Sequence, residues 1–276
     1  MSSDIQLHAV RQVFDVRKEG SRALTQFVAL DGLDLQVDAG EFRTLVGPSG
    51  CGKSTVLDLV SGLTRPSAGE VWVGGECVTH PGLDRSVVFQ QYTLLPWRTA
   101  VGNVEFALEA VGGYSRKQRR ERALEYLDLV GLSDFAHRFP RELSGGMKQR
   151  VAIARSLSYE PGVLLMDEPF GALDAQTRET LQEQLVDIWR RTGTTIVFIT
   201  HDIEEALFLG QRVSVMRGRP GRVVRTLDVQ IDRAAHDVRS SAQFAEQRHE
   251  IWQLLRGDSV TARAVRKGED RVNAAR

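Results

Sequence analysis

Gly47-Pro48-Ser49-Gly50-Cys51-Gly52-Lys53-Ser54-Thr55 sets glycines at 47, 50 and 52 just before a lysine and two hydroxyl side chains. That spacing is G-x-x-x-x-G-K-[ST]. Glycines at those places let the backbone turn tightly, so that successive N–H groups face inward on phosphate oxygens. A short strand, Phe42–Val46, ends at Gly47, and a helical pattern opens at Ser54 with Val56, Val60 and Leu63 on one face. The helix start adds the positive end of its dipole. Lys53 would neutralise charge on the β- and γ-phosphates, and the Ser54 hydroxyl would reach a Mg²⁺. A glycine-rich turn alone would account for the glycines. The strand before and the helix after are the context that makes nucleotide binding the reading, without saying which nucleotide chemistry follows.

A second cluster lies at Val163–Met166, an apolar run closed by Asp167-Glu168-Pro169. Ligands of open α/β sheets bind beyond the carboxyl ends of the strands, so both acids would face the crevice that holds the phosphate loop. Adjacent strand residues point to opposite sides, which lets the pair divide labour. Asp167 would hold Mg²⁺ through water and Glu168 would orient the attacking water; an ordinary acidic turn is the plainer alternative. Leu143-Ser144-Gly145-Gly146-Met147 opens a helix on which Met147, Val151, Ala154 and Ser158 share a face. Ser144 is a good N-cap. Two glycines in the first turn cost about 1 kcal/mol each against alanine, and their expected use is to bare the backbone to an anionic group at the helix start.

This Leu-Ser-Gly-Gly-Met segment, between that phosphate loop and that acidic strand, resembles the signature motif of the ATP-binding cassette (ABC) ATPases. Phe89-Gln90 resembles the family's glutamine loop, Ala172-Leu173-Asp174 its aspartate loop, and Ile199-Thr200-His201-Asp202 its switch histidine. The resemblance spans roughly residues 5–225. Leu94-Leu95-Pro96-Trp97-Arg98, Met147-Lys148-Gln149-Arg150, Glu204-Glu205-Ala206-Leu207 and Arg219-Pro220-Gly221-Arg222 further resemble the nitrate/sulfonate/taurine branch of bacterial importers.

The resemblance implies a mechanism. Two copies would face each other head to tail, each ATP lying between one copy's loop from Gly47 to Thr55 and the other's Ser144, Gly145 and Gly146. Glu168 would polarise water, His201 would hold the γ-phosphate, Asp174 would couple the two sites, and Gln90 would contact Mg²⁺ and a membrane partner. Gln90 and Gln91 cannot be separated by chemistry; the family pattern places the glutamine directly after an aromatic. An aromatic that stacks on adenine belongs in the first strands, where Phe14 is the candidate and plain core the alternative. The stretch from Val16 to Phe27 is longer than the family has there. His201 and Cys51 carry little on their own. The histidine matters through its place after the strand Thr195–Ile199, and the cysteine reads as a small tolerated residue of the loop.

The elements that must position these groups follow from the same chain. Ile5–Phe14 and Val28–Val37 read as strands separated by polar Arg17–Ser21, and further strands fall at Glu70–Val73, Ser86–Phe89, Val163–Met166 and Thr195–Ile199. Alternating strands and helices predict an α/β fold. The expected form is a P-loop NTPase core with a mostly parallel sheet, an N-terminal antiparallel β portion and a helical signature subdomain inserted at about 93–158. Residues 1–230 would form the ATPase domain and 231–276 a polar tail with one amphipathic segment, Phe244–Leu255.

Composition narrows the partners. Among 276 residues, 36 Lys+Arg balance 36 Asp+Glu, which argues against electrostatically driven nucleic-acid binding. No apolar run approaches the ~18 residues of a membrane-spanning helix, the start carries no signal-peptide pattern, and the cysteines, Cys51 and Cys77, fit a reducing compartment. The expected place is the cytoplasmic face of the cell membrane, peripheral, driving integral permease subunits fed by an extracytoplasmic solute-binding protein. Leu94–Trp97 reads as an exposed apolar cluster, and Leu94–Arg98 with the helical segment after it as the permease contact, whereas Arg116–Arg120 reads as a solvated helix face. A soluble ABC ATPase acting on DNA or ribosomes would carry two cassettes or a long coiled-coil insertion. A small-molecule P-loop kinase would need an acceptor lid and has no use for Ser144–Met147. Which solute is carried lies with the permease and the binding protein.

Overall fold

The structure, a computed structural model, describes residues 2–17, 24–231, 233 and 238–273. Its first half runs β1 (Ile5–Arg17), β2 (Leu24–Val37), β3 (Phe42–Val46), α1 (Lys53–Ser61), β4 (Ala68–Val73), β5 (Glu76–Cys77) and β6 (Arg85–Val88). Three helices follow, α2 (Ala100–Val111), α3 (Arg116–Leu129) and α4 (Gly145–Leu157). Then come β7 (Val163–Asp167), α5 (Ala175–Thr192), β8 (Thr195–Thr200), α6 (Ile203–Leu209), β9 (Arg212–Arg217), β10 (Arg222–Asp228) and α7 (Ala242–Asn273).

The strands form two sheets. One is antiparallel, in the order β2-β1-β4-β5; the other is β10-β9-β3-β8-β7-β6, parallel except for β10 against β9. The central strands show why the apolar runs are continuous. In β7, Leu164 and Met166 enter one core while Val163 and Leu165 enter the other, and β8 splits Ile196 and Phe198 from Val197 and Ile199 in the same way. Both faces are covered, so side chains pointing either way must be apolar. Buried hydroxyls such as Thr44 and Ser214 are tolerated, and Arg43 in β3 is the charged exception, 1% exposed. Its Nε donates to Glu41 Oε1 at 2.6 Å and its Nη1 to Ser214 Oγ at 2.9 Å, the pairing a buried charge requires.

Strands β1 and β2 run further than their apolar alternation predicts, pairing out to Arg17↔Leu24. Val16, Leu24 and Phe27 are exposed there, because ladder hydrogen bonds continue without burial. Of the polar stretch expected between them, residues 18–23 lie outside the described residues, as do 232, 234–237 and 274–276 of the tail. Helices α2, α3 and α4 lie in sequence between β6 and β7, which are neighbours in the sheet, and pack on one another. In α7, Phe244 and Ile251 are fully buried and Leu254 and Leu255 pack against the same core, so the amphipathic segment docks on its own chain.

The apolar cluster at 94–97 needs correcting. Leu94 packs against the core and Leu95 is half-buried, its N–H donating to Asn103 Oδ1 at 2.7 Å. Buried Asn103 ties this turn to α2 by also donating to Leu95 O and Arg98 O. Only Pro96 and Trp97 are exposed, Trp97 by 71%.

Candidate active site

The carboxyl ends of all five parallel strands converge. β3 leads into Gly47, β6 into Gln90, β7 into Glu168, β8 into His201, and β9 into Arg219. The register keeps them level, with Val46 beside Thr200 and Asp167 beside Ile199. Loops at this end are where such a sheet holds ligands.

Within the phosphate loop, Gly52 caps α1 with φ +94°, a left-handed conformation that glycine adopts without strain. Gly47 is needed for a different reason. Its φ is not positive, but a Cβ there would lie 2.5 Å from the carbonyl oxygen of Met216 in β9. Lys53 is 5% exposed. Its Nζ donates to Gly47 O at 2.7 Å and to Pro48 O at 3.3 Å, and lies 3.9 Å from Glu168 Oε1.

Glu168 stands just past β7 with φ +43°, a strained backbone for a non-glycine residue that costs about 1–3 kcal/mol. Its N–H donates to Ile199 O at 3.0 Å, which holds the turn, and its Oε2 lies 3.0 Å from His201 Nδ1. The carboxylate is thus held between Lys53 and His201. Asp167, one residue earlier, hydrogen bonds the Ser54 side chain. Burial pushes the Asp167 carboxyl above its ordinary range; the Ser54 bond and the Lys53 charge pull it down, while Glu168 adds to the rise. An acid whose folded pKa is raised gives stability that is present below the unfolded value and lost as pH rises through the folded one. Asp167→Asn should therefore raise the melting temperature of the nucleotide-free chain at pH 7, with the gain shrinking towards pH 3, while ATP hydrolysis falls. Melts across pH check it, and an unchanged or lower neutral-pH melt would contradict the burial argument.

Gly52, Lys53, Ser54, Asp167 and Glu168 line a cavity of about 510 Å³ together with Ser49, Gly50, Thr55 and Gln90. Phe14 is in its wall. So is Phe27, directly opposite Phe14 across the β1–β2 ladder. Sequence reasoning missed Phe27, Ala29 and Arg219, which also line it. Phe27 and Ala29 share a strand face by period-two alternation, but nothing in the sequence alone pairs Phe27 with Phe14.

The family described as ABC transporter matches residues 30–171, half of the chain. The chain belongs to that family. The cassette is 48% identical over 260 residues to the nitrate import ATP-binding protein NrtD of Synechocystis, covering 92% of this chain and 95% of that one. It is 50% identical over 233 residues to the taurine import ATP-binding protein TauB of Rhizobium johnstonii, covering 82% and 88%. Among solved structures it is similar to a dimeric ATP-binding cassette in a post-hydrolysis state bound to ADP and Pi, with a TM-score of 0.69 and 34% identity over 82% of this chain and 99% of that one. The fold is accordingly the P-loop NTPase fold of ABC cassettes, and the protein is an ATP-binding ATPase.

Other expected site residues in the cassette lie elsewhere. Ser144, Gly145, Gly146 and Asp174 do not line the cavity. Ser144 caps α4, accepting from Met147 N at 3.3 Å. A Cβ on Gly146 would lie 2.7 Å from Thr177 Cγ2 of α5, so this glycine also serves close helix packing, a demand the anion-access reading did not include. Asp174 caps α5; the Thr177 backbone N–H, donating at 3.0 Å, holds its carboxyl below the ordinary range. Cys51 is buried and burial pushes its thiol up, leaving it unreactive in the loop. His201 reaches the cavity through Glu168 rather than by lining it.

Proposed function

We propose that this cassette is the ATP-hydrolysing subunit of a membrane importer for nitrate, taurine, a sulfonate or a related small solute. The observation that carries the catalytic part is Glu168, whose two oxygens face Lys53 Nζ at 3.9 Å and His201 Nδ1 at 3.0 Å. The importer class is supported by the relatives named for nitrate and taurine import.

In this reading the loop from Gly47 to Thr55 cradles the phosphates, Lys53 leaves its carbonyl partners for phosphate oxygens, and Glu168 accepts a hydrogen bond from the attacking water. His201 holds the γ-phosphate and keeps Glu168 aimed. Such positioning with charge stabilisation is most of what phosphoryl transfer requires. Ser54, Asp167 and Gln90 fit Mg²⁺, since that ion takes hard oxygen ligands, few of them carboxylates, along with phosphate. Once bound, Mg²⁺ would neutralise charge on the phosphates. Phe14, with Phe27 beside it, supplies an aromatic wall for adenine.

Ser144, Gly145 and Gly146 fall outside the chain's own cavity, as expected if a second copy supplies them head to tail; that a similar cassette is dimeric supports the presence of a second copy. Asp174 then lies where the two sites communicate. Permease subunits dock on the face carrying Trp97, and an extracytoplasmic solute-binding protein delivers the solute. Among the described residues no helix is long and apolar enough to cross a membrane.

The test is recovery of the complex from membranes, followed by ATPase assays with nitrate, taurine and alkanesulfonates. Stimulation by one of these supports the reading, and recovery without any membrane protein overturns it. Trp97→Ala should leave ATP binding by the isolated subunit intact while reducing copurification at least tenfold, a typical hot-spot effect. Copurification at the wild-type level would remove Trp97 from the interface. Leu95 is a poor probe, because its side chain is half-buried and its truncation would also cost packing within the subunit.

A further inference from the structure

Four of the five strand ends carry groups already given roles; the fifth, at β9, carries Arg219. The turn after β9 is pressed onto the phosphate loop. Gly221 N–H donates to Ala29 O at 2.8 Å, and a Cβ on Gly221 would meet the Cys51 carbonyl oxygen at 1.9 Å. No side chain fits between the two backbones, so the turn has a fixed seat. From it Arg219 reaches over the loop. Its Nη2 donates to Ser49 O at 3.3 Å, and a Cβ on Gly50 would lie 2.6 Å from that same nitrogen. The side chain is exposed to solvent but lines the cavity that holds Lys53, Asp167 and Glu168.

The partners of Arg219 set it apart from its neighbours. Arg222, three residues on, pairs with Asp31 at 3.2 Å. Among the described residues Arg219 has no carboxylate partner; its one hydrogen bond goes to a neutral carbonyl. A guanidinium offers five N–H donors in a fork suited to phosphate. Lys53 is in a matching state, held by Gly47 O and Pro48 O. Two cations therefore rest on three consecutive carbonyls of one loop. Bonds to charged oxygens are roughly twice as strong as bonds to neutral ones, so arriving phosphates would draw both away.

We propose that Arg219 is a second phosphate-binding cation of the nucleotide site, exchanging the Ser49 carbonyl for triphosphate oxygens when ATP enters. The inference rests on the reading that this cavity holds ATP. It adds a residue from the turn after β9, outside the motifs that resemble the family's nucleotide machinery.

The test uses the full chain. Affinities for ATP and ADP are measured calorimetrically with Mg²⁺ at low and high salt for wild type, Arg219→Ala, Arg219→Gln and Arg219→Lys, alongside melts without nucleotide. Arg219→Ala should weaken ATP about tenfold, the size of one lost hydrogen bond to a charged group, and flatten the salt dependence. Arg219→Lys should recover part of the loss. Arg219→Gln keeps a donor for Ser49 O but no charge, so it should bind ATP as poorly as the alanine variant while melting like wild type. Wild-type affinity in Arg219→Gln would overturn the proposal and leave Arg219 a strut of the loop. So would a lower melt in Arg219→Ala with ATP affinity unchanged. Failure of the wild-type chain itself to bind ATP would instead overturn the site reading, and this inference with it.

Discussion

Glu168→Gln is expected to bind ATP at least as tightly as wild type, to hydrolyse it at least ~100-fold more slowly, and to accumulate as an ATP-bound dimer. The geometry gives the reason. Gln preserves the size of the side chain at a position whose backbone is already left-handed, φ +43° and anchored by the bond to Ile199 O. The phosphate cradle is left as it was. What disappears is the carboxylate 3.0 Å from His201 Nδ1 and 3.9 Å from Lys53 Nζ, and with it the group that orients water. A negative charge near the γ-phosphate is deleted as well; like charges at short range repel by about 4 kcal/mol at an effective dielectric of 20. Size-exclusion chromatography with ATP, with and without Mg²⁺, and a phosphate-release assay read both effects. A variant that stays monomeric and turns over at the wild-type rate would remove Glu168 from catalysis.

Lys53→Ala should fail at the opposite step. The Lys53 side chain is 5% exposed and its ammonium rests on the carbonyls of Gly47 and Pro48, within reach of whatever the loop holds. Hydrogen bonds to charged groups contribute about 1.5–3 kcal/mol. Its removal should therefore weaken MgATP binding by roughly 100-fold, and no ATP-dependent dimer should appear at concentrations that assemble Glu168→Gln. Without nucleotide the melt should change little, because Lys53 lines the cavity and water can take the place of its amine on the two carbonyls. Normal ATP-dependent dimerisation by Lys53→Ala would sink the assignment of the phosphate loop. The two variants separate binding from chemistry only as a pair.

Much of this site was legible in the chain because its parts are contiguous. A phosphate loop is one strand end, one turn and one helix start, so Gly47 to Thr55 can be recognised without knowing what lies beside them. The same holds for Asp167-Glu168 after an apolar strand, for Ser144 before a helix, and for His201 after Thr195–Ile199. The parallel sheet was legible too, since β7 and β8 bury both faces and so read as unbroken apolar runs. Where a boundary depended on pairing rather than burial, the pattern fell short: β1 and β2 continue to Arg17 and Leu24 on ladder bonds between exposed residues. The cluster at 94–97 failed for a related reason. Apolar residues in a polar stretch looked exposed, but Asn103, eight positions later, folds Leu95 back onto α2.

What tertiary structure alone decided was who stands next to whom across the sheet. β9 follows β8 in sequence yet lies on the far side of β3, beside the phosphate loop. That placement explains why Gly47 admits no side chain, its would-be Cβ meeting Met216 O, and why Gly221 is pressed against Cys51. It also brings Arg219 to the cavity. Phe27 reaches the wall only because the β1–β2 register sets it opposite Phe14. Gly146 is constrained by Thr177 on another helix as much as by anything at its own helix start. Local chemistry is written in residue type and spacing, because a turn or a cap involves neighbours in the chain. Strand order and close approach of backbones depend on contacts between residues apart in the chain, by as many as 170 positions for Gly221 and Cys51, and hydrophobic periodicity specifies which faces are buried without specifying which partner buries them.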